Sequence, residues 1–72
     1  MDSQCKRLLR YLEKHKRGIT AADAYEKLGI QRISARIFDL RAKGYNISTY
    51  WETGKNRYDE EVRYGRYYLE SN

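Results

Sequence analysis

The stretch "QRISARIFDLRAKGYNI", residues 31–47, decides the fold. It opens on a helical period, with Ile33, Ile37 and Leu40 at i, i+4 and i+7. Arg32, Arg36, Arg41 and Lys43 stand between them. Gly44 closes that pattern, as glycine commonly does just past a helix end. Tyr45, Ile47, Thr49 and Trp51 then alternate with polar neighbours, which is the period of a strand. A helix over about residues 32–43 is expected, with a thin apolar seam to dock it and basic, polar flanks left over.

Working upstream, "ITAADAYEKLG", residues 19–29, reads as a second short helix. Thr20 is a natural N-cap, and Asp23 stands where a capping box places an acid. Ala21, Ala24, Tyr25 and Leu28 are expected to form its buried side. Ile19 can pack as a staple or form a one-residue bridge to a sheet. Before it, Cys5, Leu8 and Leu12 make one apolar stripe of a first helix, with Leu9 beside it, capped by Ser3 and running to about Lys16. Two short helices joined by the brief break Gly29-Ile30-Gln31 cannot lie antiparallel and must cross steeply, which is helix-turn-helix geometry.

Downstream, "YNISTYWE" and "VRYGRYYLE" are two strand-like runs joined by polar, turn-prone residues around Gly54-Lys55-Asn56. Tyr67 and Leu69 are expected to point inward and Arg66 and Tyr68 outward. A lone hairpin is not stable in water, so this one must pack on the helices. The expected fold class is therefore α+β: a winged helix-turn-helix, three helices followed by a two-stranded β-hairpin wing. The single domain spans residues 1–72, with the wing at about 45–69 and its tip at 53–61.

Seventy-two residues allow one domain with a small core. The formal net charge is +5. It is uneven: residues 1–44 carry eleven Lys or Arg against five Asp or Glu, and residues 45–72 carry four against five. A basic surface favours polyanionic partners, although a small domain needs surface charge in any case. The single cysteine, Cys5, allows no internal disulfide. With no apolar signal segment in view, a reducing, cytoplasmic setting is expected. No run is long and apolar enough to span a membrane, and none is expected to enter one.

The run "ITAADAYEKLGIQRISARIFDLRAKGYNI" resembles the winged helix-turn-helix domains of small phage-encoded proteins. Their pattern is of the kind I-T-x-x-x-A-x-x-x-x-G-I-x-x-x-S-A-R-I-x-x-L-R-x-x-G-Y-x-I. More loosely, it is similar to the N-terminal DNA-binding domain of the biotin operon repressor. The likeness is close over residues 19–47 and holds only in type for the first helix and the wing. It implies a double-stranded DNA-binding protein: a phage or mobile-element transcriptional regulator, or an accessory factor in excision and recombination, working in the bacterial host cytoplasm.

In such a fold the N-terminal residues of the third helix meet base edges in the major groove. Here these are Gln31, Arg32, Ser34, Ala35 and Arg36. Gln pairs with adenine, Arg with guanine, and Ala touches a thymine methyl. Lys43 is a further candidate at the far end of the helix. At the wing tip, Arg57 suits a narrow minor groove and Lys55 a phosphate. Lys6, Arg10, Lys14 and Arg17 are candidates for the phosphate backbone. Asp59, Glu60 and Glu61 follow the tip cations at once, so either the tip turns sharply between Arg57 and Asp59 or the wing meets a protein. Phe38 is expected at the edge of the buried seam, and Asp39 to pair with Arg36 or Lys43. Arg41 is expected to be structural, pairing with Glu13 or Glu26.

One small domain gives a small footprint, so a homodimer or a cooperative head-to-tail array on DNA is expected. The other reading is a winged-helix protein-interaction module, an inhibitor of a host polymerase or nuclease for example, that does not bind DNA. Partner contacts would then run through the wing or the exposed members of the eight tyrosines. No enzyme activity, cofactor or metal is expected. His15 and Cys5 are each the sole residue of their kind and do not converge, and no phosphate loop is present.

Overall fold

The computed structural model describes residues 3–70. Its elements run α1 (Ser3–Lys14), β1 (Ile19–Thr20), α2 (Ala21–Leu28), α3 (Ile33–Ala42), β2 (Ile47–Lys55) and β3 (Glu61–Leu69). The order of three helices and then a hairpin is realised. The sheet corrects the two-stranded wing: it has three antiparallel strands in the order β1-β3-β2. Ile19 pairs with Tyr67 and Thr20 with Arg66. Gly18 makes this possible. It sits at φ 77°, and a Cβ there would collide with the carbonyl oxygen of Tyr67. Only glycine lets β1 come so close to β3.

The helix ends follow local chemistry. α1 (Ser3–Lys14) stops two residues earlier than its pattern suggested, and Ser3 is already helical rather than a cap. The capping box at α2 is formed. The Asp23 amide donates to Thr20 Oγ1 at 3.2 Å, and the Thr20 amide donates to Asp23 Oδ2 at 3.5 Å. Gly29 closes α2 at φ 68°, with its amide on the Tyr25 carbonyl and the Ile30 amide on that of Ala24. The bond from the Gly29 amide to Tyr25 is an αL ending, and the Ile30 bond beyond it holds that residue in the core.

The core consists of Cys5, Leu8 and Leu12 of α1, Ile19, Ala24, Ile30, then Ile33, Ile37 and Leu40 of α3, and Ile47. Tyr45, Tyr67 and Leu69 pack against it half-buried, as the strand pattern required. Ala21 and Tyr25, expected inside, are exposed. α2 has only eight residues, and its buried stripe narrows to Ala24 with Leu28 at the margin.

Candidate nucleic-acid interface

α3 sets the geometry of the site. Ile33, Ile37 and Leu40 are buried and fix which side of the helix faces out. At 3.6 residues per turn, Phe38 lies about 100° round from Ile37 and so falls outside the stripe. It is 72% exposed, which corrects the half-buried placement expected for it. Gln31, Arg32 and Ser34 are exposed at the start of the helix, and Ala35 is half-buried. Gln31, Arg32, Ser34, Ala35 and Phe38 together make one small polar and apolar surface. Lys43 lies past the far end of the helix, roughly 15 Å away along the axis, and does not join them.

Arg36 is differently placed. Its Nη2 lies 3.1 Å from Asp39 Oδ2, its Nε donates to the same oxygen at 3.2 Å, and its Nη1 donates to Gln4 Oε1 at 3.2 Å. The guanidinium is turned toward α1, away from the outward face. Asp39 thereby has the partner expected of it.

On the other flank of α3, Arg41 is structural, with different partners from those expected. Its Nη2 and Nε donate to the Ile47 carbonyl at 2.6 and 2.9 Å, and Nη2 also donates to Thr49 Oγ1 at 3.0 Å. Neither Glu13 nor Glu26 is involved. The contact ties the end of α3 to the start of the wing.

The wing tip turns sharply between Arg57 and Asp59. Asn56 Oδ1 accepts from the amides of Tyr58 and Glu60, and Asp59 adopts φ 62°. Arg57 is thus on the outgoing side of the tip, and the acids are on the returning side. Lys55 Nζ sits 3.4 Å from Asp59 Oδ1 in an exposed pair. Among the described residues, no ion pair holds Arg57. Further in, Trp51 is 62% exposed, with the Arg63 guanidinium 5.1 Å from its ring. Arg66 has no outward role. It bonds Glu52 at 2.7 Å and reaches Asp23 at 4.0 Å. The Glu52 hydrogen bond holds its guanidinium above the ordinary arginine range, against the opposing effect of partial burial.

Lys6, Arg10 and Lys14 are exposed on α1 on the side away from Cys5, Leu8 and Leu12. They therefore do not extend the outward face of α3, which packs on that buried stripe. Among the described residues no group of His, Cys, Asp and Glu could hold a metal, and no helix is long and apolar enough to cross a membrane.

Sequence reasoning missed Phe38 as a surface residue. The signal for Phe38 was its offset from the three-residue seam. Trp51 is exposed because its strand runs out past the core.

A family model described as a winged helix-turn-helix domain matches residues 3–72. No curated protein and no solved structure matches the chain.

Proposed function

The chain belongs to the winged helix-turn-helix domain family, and on that premise we propose that it binds double-stranded DNA with the start of α3 in the major groove. Gln31, Arg32, Ser34 and Ala35 read base edges, Phe38 lies against thymine methyls, and Arg57 and Lys43 meet the backbone on either side. Lys55 contributes less, because Asp59 beside it sets a negative charge near the same phosphate. Arg36 positions α3 on α1 instead of reading a base. The biological role is that of a phage or mobile-element regulator, or of an accessory factor in excision, and copies bind DNA as a dimer or a cooperative array.

The single observation that carries this reading is the outward face of α3. A largely exposed phenylalanine on the same helix as an exposed arginine that, among the described residues, has no ion pair, with small polar residues between, is poor surface for water but good surface for a major groove. The test is a titration of isotope-labelled protein with duplex, followed by amide NMR. The residues that shift should be 31–38 and 55–58. Shifts confined to the sheet would defeat the reading.

The second reading, a protein-interaction module, draws on the wing. Tyr50, Trp51, Tyr58 and Tyr64 are all exposed on it, and such aromatics favour protein interfaces. It predicts that the wing residues, and not those of α3, respond to the partner.

A further inference from the structure

The outer side of α1 carries a groove of about 420 Å³. Lys6, Arg7, Arg10 and Lys14 rim it, and Tyr11 and Leu28 lie at its base. The His15 ring stacks on Tyr11 at 4.0 Å, and Lys27 Nζ stands 6.0 Å from the same ring. Among the described residues no carboxylate lines the groove. A cationic rim over an apolar floor asks for an aromatic or aliphatic anchor flanked by acids. A phosphate backbone supplies the charge but no anchor.

The same chain carries that complement at the wing tip. Tyr58 is 74% exposed and is followed by Asp59, Glu60, Glu61 and Val62, all of them exposed. These three acids are the densest run among the ten Asp and Glu of the sequence. Asn56 holds the backbone amides of Tyr58 and Glu60, so the turn that presents the anchor is held before it binds. No wing residue lines the groove, so tip and groove of one chain are apart.

We propose that the wing tip of one copy docks in the α1 groove of the next, with Tyr58 on Tyr11 and Leu28 and with Glu60 and Glu61 against Arg10 and Lys14. We take the contact to be heterologous, not reciprocated within one pair of copies, so that it runs on head to tail and does not close at the dimer. The contact is smaller than a standard interface, and the association is weak in free solution. It supplies the neighbour that cooperative DNA binding calls for, yet it does not rest on DNA binding and is tested without DNA.

The test is sedimentation equilibrium at low salt, with the intact chain raised into the millimolar range. The average mass should climb with concentration, pass the dimer without a plateau, and fall as salt is added. Glu60→Lys/Glu61→Lys and Arg10→Glu/Lys14→Glu should each be monomeric alone. Their equimolar mixture should associate, because each tip now meets a groove of opposite charge. Tyr58→Ala, introduced into both members of the pair, should weaken that mixture at least about fivefold, as expected for a central aromatic anchor. The proposal is overturned by a wild type that stays monomeric throughout, by a plateau at dimer, or by charge-reversed variants that associate like wild type. A monomeric wild type whose groove-reversed variant alone loses duplex binding would assign the groove to phosphates instead.

Discussion

Arg41 of α3 grips the carbonyl oxygen of Ile47, the first residue of β2, through two guanidinium nitrogens at 2.6 and 2.9 Å. The same group reaches Thr49 Oγ1 at 3.0 Å. α3 and the wing beside it are thus joined by one side chain. The geometry is a fork, which a lysine ammonium cannot reproduce. Arg41→Lys should destabilise the fold by about 1–2 kcal/mol, near the lower end of the roughly 1.5–3 kcal/mol for hydrogen bonds to charged groups, because Arg41 is exposed. Thermal unfolding measures this. Thr49→Val, which removes one partner at the exposed edge, should cost less. An unchanged melting temperature for Arg41→Lys would show that the fork adds nothing to the fold.

Two glycines with left-handed backbones separate strain from collision. Gly29 sits at φ 68° with nothing within 4 Å of a Cβ built on it, so Gly29→Ala should cost about 1 kcal/mol of conformational strain alone. Gly18, at φ 77°, adds the clash with the Tyr67 carbonyl. Gly18→Ala should therefore be clearly the worse of the two and should loosen the β1–β3 pairing. Denaturant titration of both variants orders them, and equal losses would contradict the close approach of β1 to β3.

Phe38 is exposed, so Phe38→Ala should leave stability within about 0.5 kcal/mol. Its effect should fall on DNA. On a duplex recovered by selection from a random pool, replacing thymine by deoxyuridine removes only methyl groups. Wild type should lose affinity on the deoxyuridine duplex, and Phe38→Ala should not distinguish the two. If both proteins lose affinity equally, Phe38 does not touch the methyls.

The two arginines at the start of α3 should behave differently. Arg32 has no ion pair among the described residues and faces out, so Arg32→Ala should cost about 1–3 kcal/mol of binding at its base position. Arg36 is occupied by Asp39 and Gln4, so Arg36→Ala should cost less affinity and relax the packing of α3 on α1. Anisotropy titrations on the selected duplex compare them directly, and the reverse order would place Arg36 at the groove.

The architecture was largely legible because its signals are local. Thr20 with Asp23, the glycines after each helix, and the seam of Ile33, Ile37 and Leu40 each depend on residues a few positions apart. The third strand was legible only as one of two options for Ile19, a bridge to a sheet, since Ile19 and Thr20 are too short a run to show a period, and their pairing with Tyr67 and Arg66 is long-range. The partner of Arg41 was hidden for a related reason: a backbone carbonyl has no sequence signature, whereas Glu13 and Glu26 do. At the wing tip the conflict between Arg57 and the acids was visible in the sequence, but its resolution by the Asn56 side chain was not. For the candidate interface, the positions at the start of α3 followed from the pattern. That Arg36 turns inward depends on Gln4, thirty-two residues away.

The measurement that bears most directly on the account is fluorescence anisotropy of the protein on labelled duplex as salt is raised. The account predicts tight binding at low salt, with log K falling linearly against log salt at a slope of about −3, one phosphate each for roughly three backbone contacts. Arg32→Ala should weaken binding to the selected site about tenfold or more. No binding at low salt, or binding indifferent to Arg32, would contradict it and leave the wing as the working surface of the molecule.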